Sequence, residues 1–129
     1  MNPVVHFELP YKDANRISKF YSETFNWKLT DLGPNSSNYI LAVTCEADAK
    51  PGLPAGAING GFFPYKADWP IQSPSIVIGV ANIEETINKI IINGGSILGE
   101  PIMIPNFGRY VSFVDTEGNR ISIIQPVSM

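Results

Sequence analysis

Two side chains near the start of the chain have types and spacing suited to proton transfer. His6 is the only histidine among 129 residues, and Glu8 follows it by two positions. In a β-strand such residues share a face and lie roughly 7 Å apart. Histidine titrates near neutral pH and a carboxylate can take a proton, so the pair could act as acid and base. His6 could equally be a half-buried histidine bonded to Glu8 or Gln125, and the sequence leaves both interpretations open.

The segment that carries His6 is predicted to be a strand followed by a helix. Residues 4–9 are rich in β-favouring types, and Pro10 is expected to end the strand. Asp13 is a typical helix N-cap, and apolar residues at helical spacing predict a helix over 13–25. The rest of this half is predicted to hold strands over 27–32, 39–44 and 57–63 and a loop over 45–56. The order is therefore β, α, β, β, β.

The same order recurs in the second half. Ser75 begins an apolar strand seven residues before the helix cap Asn82, as His6 stands seven residues before Asp13. Strands are then expected over 96–104, with an interruption at Pro101, and over 110–114 and 121–125. We predict an α+β fold in which two βαβββ modules form a cup-shaped mixed sheet with helices on the outer face. The single domain would span 1–129, with module one over 1–63, a linker over 64–74 and module two over 75–129.

Alternation along the strands assigns side chains to the two faces of this sheet. The helices would cover Phe7, Leu9, Ile76 and Ile78. The groove inside the cup would be lined by His6, Glu8, Ser75, Val77 and Gln125. Gly60 and Gly61 mark either a bulge that curls the sheet or a floor over which a ligand fits.

Composition excludes several classes of partner. The net charge of −3 gives no basic excess for a nucleic acid or an anionic membrane surface. No apolar run reaches the roughly 18 residues that a membrane span needs. Cys45 is the only cysteine, so no internal disulfide can form. Together with the absence of a cationic, apolar leader, this favours a cytoplasmic location.

Several short motifs, taken together, resemble the vicinal-oxygen-chelate superfamily of glyoxalases, bleomycin-resistance proteins and extradiol dioxygenases. They span nearly the whole chain in the order found in that family. The narrower resemblance is to glyoxalase-like proteins of unassigned chemistry. The matching stretches are Val5-His6-Phe7-Glu8 with Asp13, Phe20-Tyr21, Phe25-Asn26-Trp27, Ile58-Asn59-Gly60-Gly61, Val80-Ala81-Asn82-Ile83, Gly94-Gly95, Ile104-Pro105-Asn106-Phe107-Gly108 and Asp115-Thr116-Glu117-Gly118-Asn119.

The resemblance implies a divalent metal held by His and Glu or Gln side chains from four strands. Carried over one position at a time, the ligand positions fall on His6, Ser75, Gln125 and a place near Phe63. Serine is a poor ligand and phenylalanine is none, so His6 and Gln125 are the two that could bind. Two neutral ligands rarely hold a divalent ion, and we therefore expect no complete metal site and no cofactor, with a weakly held divalent metal as the alternative.

The leading functional hypothesis is a glyoxalase-like protein that binds a small molecule in the cup. His6 and Glu8 would be the catalytic residues if the ligand is turned over. The predicted ligand-binding residues are His6, Glu8, Asn59, Gly61, Phe63, Ser75 and Gln125. The alternatives are a metal-dependent lyase or dioxygenase of the same superfamily, and a dimerising module without catalysis. The resemblance also implies a homodimer.

Overall fold

The computed structural model describes residues 1–45 and 57–127 of the chain. Most of the predicted loop over 45–56 lies outside the described residues. The fold divides into two compact units between Pro74 and Ser75. We call His6–Pro74 the N-terminal unit, and Ser75–Met129 together with Met1–Val5 the C-terminal unit.

The N-terminal unit is a four-stranded mixed sheet with one helix. Its elements are β1 (Val4–Tyr11), α1 (Ala14–Phe25), β2 (Lys28–Asp31), a short 3-10 helix (Pro34–Ser36), β3 (Ile40–Val43) and β4 (Gly60–Pro64). The strand order is β2-β3-β4-β1. Strands β1 and β4 run parallel, whereas β2 with β3 and β3 with β4 are antiparallel. The first two residues of β1 fold with the C-terminal unit.

Helix α1 packs on one face of this sheet. The Asp13 carboxylate accepts a hydrogen bond from Arg16 N at 2.9 Å, and so caps the helix as predicted. The fully buried core consists of Ile40, Ala42 and Phe62. Phe7, Leu9, Tyr11, Ala14, Ile17, Tyr21, Trp27 and Leu29 pack around it. Because Phe7 and Leu9 lie on the helix side, alternation places His6 and Glu8 on the opposite face, as the sequence predicted.

The C-terminal unit repeats the plan. Its elements are β5 (Ser75–Gly79), α2 (Ile83–Ile92), β6 (Ser96–Ile104), β7 (Gly108–Val114) and β8 (Arg120–Pro126). The order is β5-β8-β7-β6, with β5 and β8 parallel and the other pairs antiparallel. Helix α2 covers one face, over a core of Val80, Ile83, Val111, Phe113 and Ile123. Each unit is therefore a βαβββ module, and the predicted α+β class is confirmed.

Local features depart from the sequence-based expectations. Strand β1 continues through Pro10 to Tyr11, because the chain stays extended and Tyr11 O accepts a hydrogen bond from Tyr65 N at 2.7 Å. In β6 the interruption expected at Pro101 is a shift of the register with β7 between Leu98 and Ile102, and the strand continues to Ile104. Such a shift is typical of a β-bulge, in which one strand has more residues than its partner and the pairing resumes beyond them.

Two aromatic residues of α1 whose helical spacing is typical of a core position lie on the surface. Phe20 is 55% exposed and Phe25 is 57% exposed, although both follow helical spacing with Tyr21. Helix α1 presents only a narrow stripe to the sheet, and these two rings contact each other and Tyr21 at the edge of that stripe. Helical spacing alone does not show which apolar residues of α1 face the sheet and which lie at the border of the buried stripe.

Hydrogen bonds within the proline-rich segment after β4 join its two ends. The Gln72 carboxamide accepts a hydrogen bond from Lys66 N at 2.7 Å and donates to Lys66 O and Trp69 O.

Among the described residues, no helix has the length and apolar character needed to cross a membrane.

Candidate functional site

The tyrosine just before β3 links the two side chains that the sequence singled out. Tyr39 lies just before Ile40, and its ring crosses β4 above Gly61, which is the register partner of Glu8 on β1. A Cβ atom at position 61 would lie 2.1 Å from Tyr39 Cε2 and 2.2 Å from the Tyr39 hydroxyl oxygen. Glycine at this position therefore lets the ring reach β1. The Tyr39 side chain lies over Gly61, where one interpretation of the sequence placed a ligand.

The Tyr39 hydroxyl joins His6 and Glu8 by two hydrogen bonds. It donates to Glu8 Oε2 at 2.9 Å, and its oxygen lies 2.9 Å from His6 Nε2. The rings of His6 and Tyr39 are nearly parallel, with an angle of 20° between their planes. Glu8 is only 8% exposed, and His6 and Tyr39 are half-buried. We call these three residues the His6–Tyr39–Glu8 triad.

Burial controls the charge on the imidazole. It lowers the pKa of His6 below the usual 6.5, and the nearby charge of Glu8 opposes this shift with a smaller effect. A charged imidazolium is costly in a half-buried position, so His6 is neutral at neutral pH. A neutral imidazole can accept a proton, which is the state that a general base needs.

The other predicted site residues of the N-terminal unit lie in β4 or directly before it. Gly61 and, by alternation, Phe63 lie on the same face as the triad. The Asn59 carboxamide oxygen accepts hydrogen bonds from Thr44 N at 2.8 Å and from Cys45 N at 3.1 Å. It thereby fixes the end of β3, and we assign Asn59 a structural role.

The remaining predicted residues, Ser75 and Gln125, belong to the C-terminal unit. Ser75 is half-buried at the start of β5. The assignment of Gln125 to the groove face is wrong, because its Oε1 accepts a hydrogen bond from Ile83 N at 2.9 Å, at the first turn of α2. Gln125 therefore lies on the helix side of β8, as do Ile121 and Ile123, and satisfies a backbone donor that the helix leaves open. The candidate site is accordingly defined within the N-terminal unit.

The donors present do not fit the divalent metal that the fold implies. His6 Nε2 is bonded to Tyr39, and the Gln125 oxygen serves as a helix cap. Throughout residues 1–45 and 57–127, no three His, Cys, Asp or Glu side chains come together as metal ligands would. Structural zinc sites take four protein ligands and catalytic zinc sites take three, more than the described residues bring together.

Sequence reasoning missed Tyr39. Its contacts with Glu8 and His6 join residues that are 31 and 33 positions apart, and they depend on the register of β3 with β4 and of β4 with β1. The glycine pair was the available signal, because a strand glycine often marks a close approach.

Comparison with known proteins identifies the family of this chain. The family model of the Glyoxalase/Bleomycin resistance protein/Dioxygenase superfamily matches residues 4–123. A glyoxylase-like domain-containing protein of Didymella fabae is 29% identical over 128 residues, covering 90% of this chain and 88% of that protein.

Solved structures of the same fold include two epimerases. The methylmalonyl-CoA epimerase of Mycobacterium tuberculosis has a TM-score of 0.69 and 11% identity, over 96% of this chain and 87% of that one. A Streptomyces coelicolor methylmalonyl-CoA epimerase in complex with 2-nitronate-propionyl-CoA has a TM-score of 0.71 and 17% identity, over 100% and 97%. The chain belongs to the Glyoxalase/Bleomycin resistance protein/Dioxygenase superfamily.

Proposed function

We propose that this protein binds a small carbonyl compound beside the His6–Tyr39–Glu8 triad and transfers a proton at the carbon next to the carbonyl group. The observation that carries the proposal is the Tyr39 hydroxyl, which is 2.9 Å from both His6 Nε2 and Glu8 Oε2. A base oriented through a third group is the usual arrangement for a side chain that moves protons.

The direction of the two hydrogen bonds supports Nδ1 of His6 as the basic atom. Tyr39 has one hydroxyl proton, and it donates this proton to Glu8, whose carboxylate only accepts. The Tyr39 oxygen must then accept from His6, so neutral His6 carries its proton on Nε2. The lone pair is on Nδ1, which is therefore the atom that takes a proton from the substrate.

The rest of the triad stabilises the product of that step. Removing a proton from the substrate carbon leaves an enolate and turns His6 into an imidazolium. The negative charge of Glu8 favours that imidazolium, as its effect on the pKa of His6 indicates. The proton on Nδ1 exchanges with solvent, and delivery of a solvent-derived proton from Nδ1 to the carbon regenerates neutral His6 and the carbonyl compound.

Deuterium exchange tests the proposal. The purified protein would be incubated in D2O with methylmalonyl-CoA, which is the ligand of a solved structure of this fold, and with pyruvate and dihydroxyacetone. Proton NMR would follow loss of the signal at the carbon next to the carbonyl. We expect faster exchange of at least one compound, and a loss of about 100-fold or more in His6→Gln.

The outcomes separate the alternatives. Binding without exchange would point to a protein that only sequesters its ligand. Exchange that is unchanged in His6→Gln, or that requires added Mn2+, Ni2+ or Zn2+, would contradict the triad mechanism and favour a metal-dependent enzyme. Absence of both binding and exchange would favour the dimerising module.

A further inference from the structure

The chain contains two Asn-Gly pairs, and the structure holds them in different ways. Asn59-Gly60 leads into β4, whereas Asn93-Gly94 follows the last turn of α2. In an Asn-Gly pair the glycine nitrogen can attack the carboxamide of the preceding asparagine, because glycine has no Cβ to block the approach. The two pairs have the same local chemistry, so their surroundings decide which of them reacts.

The first pair is held on both sides of its peptide bond. The Asn59 carboxamide oxygen accepts a hydrogen bond from Thr44 N at 2.8 Å. Gly60 is buried in β4, between its register partners Phe7 on β1 and Ala42 on β3. The Gly60 nitrogen can reach the Asn59 carboxamide carbon only if this part of the sheet opens. Attack at Asn59 therefore requires opening of the core of the N-terminal unit, which is among the most costly local openings in a protein.

The second pair is exposed at the end of a helix. Asn93 Nδ2 donates a hydrogen bond to Lys89 O at 2.8 Å, and Gly94 N donates to Ile91 O at 3.2 Å. The last helical residue, Ile92, is 81% exposed and adds little buried contact to this turn. Helix ends open at a low free energy, because few buried contacts oppose the opening. Attack at Asn93 therefore requires opening of only the last turn of α2.

We propose that Asn93 is a site of spontaneous deamidation, which weakens the end of α2. The Gly94 nitrogen, after losing its proton, forms a bond to Asn93 Cγ, the bond from Cγ to Nδ2 breaks, and ammonia leaves behind a succinimide ring. Water then adds to one of the two ring carbonyls and breaks a C–N bond, which gives aspartate or isoaspartate. One water is consumed and one ammonia is released, and the product carries a carboxylate that is charged at neutral pH.

The new carboxylate lies at the unfavourable end of α2. The C-terminus of a helix carries a partial negative charge, so an anion placed there is destabilising. A carboxylate also lacks the donor that Asn93 presents to Lys89 O. Isoaspartate adds one carbon to the main chain, in the short turn through Gly94 and Gly95 that leads into β6. Both products should therefore make the end of α2 less stable.

Mass spectrometry of the purified protein tests the modification. The folded chain would be incubated in mildly alkaline buffer, and peptide fragmentation would locate each mass gain that results from exchange of NH2 for OH. We expect Asn93 to react about tenfold or more faster than Asn59, and both to react at similar rates in urea, where the chain is unfolded. Asn93→Gln should show no gain at position 93, because its longer side chain would have to close a larger ring.

Two results would overturn the site. Equal rates at Asn59 and Asn93 in the folded protein would show that the structure does not select between the two pairs. A gain at Asn93 in urea without one in the folded protein would show that the end of α2 stays closed.

Substitution tests the effect on the helix. Asn93→Asp reproduces the aspartate product, and we expect its midpoint of urea denaturation to be lower than that of the wild-type protein. Asn35→Asp is the matched control, because it adds the same charge at an exposed position of the short 3-10 helix and should leave the midpoint nearly unchanged. Equal losses in the two variants would assign the effect to net charge, and no loss in Asn93→Asp would contradict the weakening of α2.

Discussion

At the scale of single residues, the Tyr39 hydroxyl group is the centre of the candidate site, because it contacts both His6 and Glu8. His6 and Glu8 alternate on β1, and Tyr39 joins them because Gly61 leaves room for its ring. Glycine is needed at position 61 for space, since an added methyl group would meet the tyrosine. The site therefore depends on the hydroxyl group of Tyr39 and on the absence of a side chain at Gly61.

Removing the bridging hydroxyl should weaken both stability and proton transfer. In Tyr39→Phe, Glu8 loses a hydrogen bond while it remains buried, and we expect a loss of about 2 kcal/mol in the free energy of unfolding. Urea denaturation would measure this loss. Tyr21→Phe is the matched control, because the Tyr21 ring packs against Trp27 in the helix-side core and the change should have a small effect. Equal effects of the two changes would contradict the assigned role of Tyr39.

Adding one carbon at position 61 should disrupt the triad. We expect Gly61→Ala to destabilise the protein by about 1–3 kcal/mol, because its Cβ would overlap the Tyr39 ring. In a Tyr39→Ala background the overlap is absent, and the same change should have little effect. This double-mutant comparison isolates the contact. A cost that is the same in both backgrounds would place the strain elsewhere.

At the scale of secondary structure elements, the sequence predicts helix caps and the side of a strand on which a residue lies. Alternation correctly placed His6 and Glu8 opposite α1, because Phe7 and Leu9 alternate with them and only one face of that part of β1 packs on the helix. The prediction was wrong for Gln125, which alternation with Ile121 and Ile123 places on the helix side of β8, opposite Arg120 and Ser122.

The cap made by Gln125 can be tested by substitution. Gln125→Ala leaves the Ile83 amide without its acceptor, and we expect a loss of about 1 kcal/mol in the free energy of unfolding. Gln125→Glu should recover the loss, since its side chain keeps an acceptor and places negative charge at the start of α2. Thermal or urea denaturation would compare the two. If alanine has no effect, the cap does not stabilise α2.

At the scale of the whole molecule, the duplicated module was predictable and its long-range contacts were not. The strand-to-cap spacing of seven residues identified both βαβββ units, because caps and turns are local signals. Tyr39 could not be found in this way, since its position relative to β1 is set through two strand pairings. The homodimer and the cytoplasmic location remain predictions.

The buried histidine should make global stability depend on pH. A histidine whose pKa is lowered on folding binds fewer protons in the folded state than in the unfolded state. Stability should therefore fall as the pH is lowered from about 6.5 through the folded-state pKa. Urea denaturation at pH 8, 6.5 and 5 should show this decline, and His6→Gln should remove the part due to His6. An identical decline in the variant would assign it to other groups.

The most direct test of the account is the protonation state of His6. Because the chain has a single histidine, nitrogen NMR of the labelled protein gives one imidazole to assign and to titrate. We expect a neutral ring at pH 7 that carries its proton on Nε2, with a pKa below 6.5. A proton on Nδ1, or a pKa above 6.5, would contradict the triad.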